Sequence, residues 1–203
     1  DPIEIIDGGI PIVMNAEVKK MINFFQSRYA KRSIQEWLNR EDKFKEIILP
    51  ILDKEDVPLE LFYVAMVESG LRPNAKSYAS AVGPWQFVKE TGKAYGLKID
   101  YYFDERRDFE KSTISAAKYL KHLYEEFDDW YLAFAAYNCG EGRVRKTVKR
   151  QDSKDYWKLT RLPAQTRNYV PNIMAAIFIA NDPGKYGFAD GGWFGRSTKA
   201  FNE

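Results

Sequence analysis

Between Leu59 and Met66 the chain carries seven apolar residues in eight positions, broken only by Glu60. A run that dense is apolar on every side of a helix and belongs inside a core. Asp56 and Pro58 precede it as start signals, and Gly70 with Pro73 follows as a stop. The spacing therefore predicts a buried helix from about Leu59 to Ser69. This greasy helix ends in an acid, Glu68. In a last turn a carboxylate meets the partial negative charge of the free carbonyl ends. Apolar neighbours also withdraw it from water, and both effects favour the protonated form. An acid that keeps its proton near neutral pH is what general-acid catalysis needs. A lone glutamate more often simply caps an exposed helix end, so other segments have to decide.

Most of the remaining chain reads as helical. Val18, Met21, Ile22 and Phe25 recur at helical spacing, followed by Ile34, Trp37, Leu38, Phe44, Ile47, Ile48, Ile51 and Leu52, with Pro50 placed to kink or divide the run. "PWQFVKETGKAYG" predicts a short helix opened by Pro84 and stopped by Gly92 or Gly96. Ser112 or Thr113 is expected to cap a helix through Phe127, with the stripe Ile114, Ala117, Leu120 and Tyr124. Asp128 or Asp129 caps "WYLAFAAYN", which Gly140 ends; "RVRKTVKR" is a short basic helix and "LPAQTRNYVPNIMAAIFIAN" a long apolar one containing Pro171. No alternating strand run is visible, so the class is mainly α. The expected divisions are an extended arm over 1–15, a helical extension over 16–55, a main domain over 56–187 and a Gly/aromatic tail over 188–203.

Composition removes several function classes. The 31 basic and 29 acidic residues leave a net charge of +2, which gives no case for nucleic acid. A single cysteine, Cys139, forbids an intrachain disulfide, and a single histidine, His122, argues against a His-based zinc site or a Ser-His-Asp triad. His122 is read as structural. No apolar run reaches the ~18–20 residues needed to cross a bilayer. The opening "DPIEIIDGG" has neither an initiator Met nor a signal peptide, which points to a trimmed or processed chain.

Three segments weigh against the bland reading of Glu68. "SYASAVGPWQ", Ser77 to Gln86, sets small residues and a polar amide just after the Glu helix. Gln86 suits hydrogen bonding to a sugar, and Ser77 suits holding the Glu68 carboxyl or a substrate amide. "AAYNCGEGRV" ends a helix in Tyr137 and Asn138 and hands over to glycines that allow close backbone approach. "LPAQTRNYVP" brings Thr166, Arg167 and Tyr169 before a proline. The basic cluster Arg143, Arg145, Lys146, Lys149 and Arg150 reads first as a solvated helix face, second as a contact for anionic stem peptides. Tyr101, Tyr102, Phe103 and Trp157 have packing as their first reading and sugar stacking as their second.

Taken together, the "ES" pair, the serine nine residues after Glu68, "G-x-W-Q-F", "T-G-x-x-Y-G-L", "AAYN-x-G-E-G-R-V" and "LP-x-x-T-R-x-Y-V-P" resemble the catalytic domain of lytic transglycosylases that cut peptidoglycan. Order and spacing look most like the membrane-bound type D, over Val57 to about Gly187. The resemblance implies a lysozyme-like helical domain of the goose-type lysozyme and soluble lytic transglycosylase kind, with an N-terminal helical extension and a long glycan groove. It implies Glu68 as the single acid/base and Ser77, Gln86, Tyr137, Asn138 and Tyr169 as groove residues. Pro84 and Cys139 depart from the usual residues at their positions. The implied reaction is non-hydrolytic cleavage of the β-1,4 bond between N-acetylmuramic acid and N-acetylglucosamine, needing no metal or organic cofactor. The implied partners are peptidoglycan strands rather than nucleic acid. The implied home is the periplasm or cell envelope, with a possible membrane tether outside this chain as in an outer-membrane lipoprotein. A two-carboxylate glycosidase would need a second acid. Glu90, Asp104, Glu105 and Glu110 are nearest in sequence, and "DERRD" reads instead as ion pairs with Arg106 and Arg107. A hydrolytic muramidase on the same fold and a non-catalytic glycan-binding module are the competing readings.

Overall fold

The computed structural model of the protein describes residues 3–5 and 9–189. Eight helices are described: α1 (Ala16–Gln26), α2 (Lys31–Lys54), α3 (Phe62–Ser69), α4 (Lys89–Ala94), α5 (Phe109–Phe127), α6 (Trp130–Cys139), α7 (Glu141–Gln151) and α8 (Ala164–Asn181). Hydrophobicity decides their layering. α3 and α6 are apolar on all faces and are buried accordingly, Phe62–Met66 in one and Trp130–Ala136 in the other. α8, buried at Val170, Pro171 and from Ile173 through Ile177, packs against both. The helices with a single apolar stripe surround them: α1 lies on α8 through Val18, Met21, Ile22 and Phe25, and α2 lies on α5. One continuous hydrophobic cluster joins α1 and α2 to the rest. No described helix is long and apolar enough to cross a membrane.

Several local expectations are corrected. The N-terminal arm is not merely extended: β1 (Ile3–Ile5) pairs antiparallel with β2 (Pro11–Val13), Ile3 facing Val13. Three-residue strands are too short for alternation to register in a sequence. The Tyr131 hydroxyl donates to the Pro11 carbonyl and fastens this hairpin to α6. The cap of α5 is Asp108, whose carboxylate accepts from Lys111 N at 2.9 Å, so Ser112 and Thr113 fall inside the helix and are fully buried. Pro84 opens no helix. Residues 83–87 form a turn closed by a bridge between Val82 and Phe87, and Gln86 takes φ +51°. Of the two expected stops for α4, Gly92 lies within the helix, leaving room for the Ile99 and Leu97 side chains, and Gly96, at φ +96°, follows its end. Asp129 caps α6, accepting from Leu132 N at 2.9 Å. Pro50 and Pro171 sit inside α2 and α8 without dividing them, at the cost of one backbone donor each. The tail assigned to 188–203 lies outside the described residues from position 190 onward.

Candidate active site

The last turn of α3 is clamped from two sides. Gly70 closes the helix with φ +61°, and a Cβ there would stand 2.5 Å from the Trp37 indole nitrogen, so α2 rests directly on the helix end. Arg40 Nη1 donates to the Gly70 carbonyl at 2.9 Å. On the other side the Ser69 hydroxyl donates to Pro84 O at 2.8 Å, tying the helix to the turn that carries Gln86. Trp85, fully buried, donates from Nε1 to Thr113 Oγ1 at 2.9 Å and holds that turn against α5.

Glu68 projects between these clamps into a cleft of about 390 Å³. Ser77, Gln86, Tyr137 and Asn138 line the same cleft, with Ala79, Ala81, Phe87, Val88, Thr91, Tyr119, Gly140 and Gln165. The polar groups are already oriented. Gln86 Nε2 donates to Gly83 O at 2.8 Å and to Ala75 O at 3.2 Å, so its amide nitrogen is spoken for. Ser77 Oγ accepts from Ala81 N at 3.1 Å and holds its own loop rather than the Glu68 carboxyl. Tyr137 donates to Trp85 O at 2.7 Å. Asn138 Oδ1 accepts from Thr166 Oγ1 at 2.8 Å. Tyr169 is 4% exposed and stands behind the acid, not on the cleft wall; its hydroxyl donates to Glu68 Oε1 at 2.5 Å.

The electrostatics follow from this packing. Part of Glu68 reaches the cleft, but its carboxyl is enclosed by protein, and burial pushes its pKa up to about 7 while the Tyr169 donor pulls it back down. Burial is thus the dominant cause. Burial, reinforced by the neighbouring carboxylate, also drives the Tyr169 and Tyr137 phenols well above their usual range, so both remain O–H donors.

None of the four acids nearest in sequence lines the cleft. Asp104 pairs with Arg106 at 2.7 Å, and Glu105 with Lys111 at 2.6 Å. Glu90 and Glu110 are likewise absent from its wall. Sequence reasoning missed Glu141, whose carboxylate accepts from the hydroxyl of the cleft residue Tyr119 at 3.4 Å. It also missed Tyr119, which sits off the apolar stripe of α5 and packs at a tilt between Tyr95 and Tyr137. Trp157 packs edge-on against Tyr131 and Tyr156. His122 is exposed and hydrogen-bonds through Nδ1 to the Tyr95 hydroxyl at 3.2 Å. In the basic helix, Arg145 pairs with Glu126 at 2.8 Å.

Known proteins resemble this chain in sequence and in fold. The membrane-bound lytic murein transglycosylase D of Escherichia coli is 43% identical over 139 residues, which is 66% of this chain and 30% of that protein. The chain thus spans about a third of the length of that curated relative. Among solved structures, an inactive mutant of the lytic transglycosylase Slt from Pseudomonas aeruginosa aligns with a TM-score of 0.55 at 24% identity, over 71% of this chain and 25% of that one. The 70 kDa soluble lytic transglycosylase from Escherichia coli gives 0.58 at 19% identity, over 89% and 32%. Those two likenesses concern the fold, which is the mostly helical, lysozyme-like one expected. The model of the transglycosylase SLT domain matches residues 47–160, more than half of the chain, and the protein belongs to that family.

Proposed function

We propose that the chain is the catalytic part of a peptidoglycan lytic transglycosylase in which Glu68 serves as both acid and base. The observation that carries this reading is the Glu68 carboxyl, shifted to about 7 by burial in a cleft whose lining holds no other acid. Protonated Glu68 gives its proton to the glycosidic oxygen as the C1–O bond breaks. The 2-acetamido oxygen of the muramic sugar closes on C1 as an oxazolinium-like ring. Glu68, now a carboxylate, removes the proton from the 6-hydroxyl of the same sugar. That oxygen attacks C1 and displaces the acetamido group, which leaves a 1,6-anhydro end and consumes no water. Tyr169 orients the carboxyl through its hydrogen bond, and its phenol supplies a neutral donor that favours the carboxylate stage of the cycle. Gln86, Tyr137 and Asn138 form the sugar-facing wall, and Ser77 shapes its rim. Residues 56–187 act as the catalytic unit and 16–55 as its brace. The proposed setting is the cell envelope, on the periplasmic side, in keeping with the membrane-bound relative's name.

Mass spectrometry of digested sacculi tests this. Fragments lighter by one water than hydrolytic products are expected, and reducing ends in their place would make the protein a muramidase. Glu68→Gln is expected to bind glycan without turnover, whereas Glu141→Gln keeps turnover. If Glu141→Gln were as inactive as Glu68→Gln, the single-carboxylate mechanism would be wrong.

A further inference from the structure

The exposed large hydrophobic side chains of the described residues are unevenly spread. Of eight, five lie between positions 78 and 103: Tyr78, Val88, Tyr101, Tyr102 and Phe103. Tyr78 is 109% exposed relative to a free side chain, and Tyr101 and Tyr102 are 93% and 83% exposed. Three tyrosines held out in water in this way have no folding role that packing explains.

These rings ride on two short loops that one buried side chain joins. Arg106, 7% exposed, pairs through Nε and Nη2 with both oxygens of Asp104, at the base of the loop that carries Tyr101 and Tyr102. Its Nη1 donates to Ser80 O at 3.2 Å, two residues from Tyr78, and to Phe87 O at 3.1 Å. Gly83 presses against the Arg106 carbonyl so closely that a Cβ would sit 1.7 Å from it. The tip of the second loop is fixed as well, because Asp100 Oδ1 accepts from Tyr102 N and Phe103 N, each at 2.8 Å. The backbone of both loops is therefore preorganised, which lowers the ordering cost of binding. The Tyr78 loop is also continuous with the cleft, since Ser77 and Ala79 on either side of Tyr78 line it, as does Val88, and Arg106 ties the Tyr101–Tyr102 loop to it.

We infer that Tyr78, Tyr101 and Tyr102 form an aromatic platform beside the cleft that holds a further stretch of neutral glycan outside the reacting sugars. The inference rests on the glycan-cleaving reading above. The chemistry favours sugar over other occupants. Tyrosine combines a flat apolar face, which suits the C–H face of a pyranose, with a hydroxyl for its rim. Asp100, held in its charged form by those two backbone N–H donors, pairs with Lys98 Nζ at 3.7 Å at the foot of the same rings, so the cation nearest them is already partnered and gives an anionic lipid surface little hold.

The test compares the full 203-residue chain with the triple variant Tyr78→Ala, Tyr101→Ala, Tyr102→Ala, and with the corresponding triple Phe variant. Two readouts are taken: co-sedimentation with purified sacculi, and the rate on a short soluble muropeptide. The Ala variant is expected to bind sacculi about tenfold more weakly, a loss of 1.4 kcal/mol, with its short-substrate rate unchanged. The Phe variant keeps most of the affinity. Unaltered sacculus binding by the Ala variant overturns the proposal. So does an equal loss on both substrates, which would make the loops supports of the cleft alone. Wild-type binding to phosphatidylglycerol vesicles that the Ala variant lacks, or a wild-type dimer that it loses, would assign the surface to a membrane or to a second copy. A wild-type chain that neither sediments with sacculi nor cuts the muropeptide would sink the functional reading, and the platform with it. A wild type that cuts, beside an Ala variant that sediments equally well, would sink the platform alone.

Discussion

Replacing Glu68 by Gln should make the protein more stable above neutral pH while destroying its activity. The carboxyl's pKa rises from an ordinary 4.5 to about 7 on folding, chiefly through burial. At pH 4 the side chain is protonated in both the folded and the unfolded chain, and it contributes no pH-linked term. As pH rises through 4.5 the unfolded chain releases the proton first, and the folded chain follows only near 7. Between those values the folded state binds more protons, so stability falls as pH rises. At 1.36 kcal/mol per pH unit of difference, the loss levels off at about 3 kcal/mol by pH 8. Gln keeps the size of the side chain and an oxygen for the Tyr169 hydroxyl, but it does not titrate. Urea unfolding of both proteins at pH 4 and pH 8 isolates the effect, because every other titrating group cancels in the comparison. The difference in unfolding free energy should be near zero at pH 4 and about 3 kcal/mol in favour of Glu68→Gln at pH 8. For a chain of this size that corresponds to a melting temperature higher by roughly 6–12 °C. Equal differences at the two pH values would mean that Glu68 ionises in the folded protein as it does in water, and the proton-donor role would lose its physical basis.

Other outcomes follow from the same geometry. Tyr169→Phe removes the donor that favours ionised Glu68, so the alkaline limb of the pH–rate profile should move to higher pH; a limb that stays fixed or moves down refutes this. Gly83→Ala sets a Cβ against the Arg106 carbonyl at a φ of +87° and should cost at least about 3 kcal/mol, read by thermal melting. Arg106→Lys cannot span Asp104, Ser80 O and Phe87 O together and should lose about 3 kcal/mol, whereas Arg107→Lys, at a half-buried position with only long contacts to Asp104 and Asn74, should cost under about 1 kcal/mol. Thr113→Val leaves the Trp85 indole N–H buried without an acceptor and should cost about 1–3 kcal/mol, read by denaturant unfolding.

Much of this was legible in the sequence because burial leaves a period. The stripe Val18, Met21, Ile22, Phe25 and the unbroken runs of α3 and α6 announce both helix and depth. The carboxylate ending the most apolar helix announced its own shifted pKa, although burial, not the helix carbonyls, proves the main cause. What stayed hidden depends on contacts between distant residues. Asp108 was overlooked as a cap because Ser112 and Thr113 looked equally able to serve, and only Trp85 reaching Thr113 shows why that threonine is buried. Pro84 suggested a helix start, but a left-handed Gln86 two residues later turns the chain back so that its amide nitrogen can seal the loop. Tyr169 was expected on the groove wall, and helical periodicity alone could not tell that face from the one behind the acid. Tyr119 carried no signal at all, since it belongs to neither the apolar stripe nor a polar face.

The indole of Trp37 lying on Gly70 bears on how this enzyme type can be dissected. The family match begins at residue 47, inside α2, which invites a minimal fragment cut at that point. Such a fragment would retain every cleft residue yet lose both Trp37 and Arg40, the two side chains that seat the end of α3. Glu68 would then hang from a frayed terminus. Trimming or swapping the first helices is thus a change to the Glu68 cleft made from outside it.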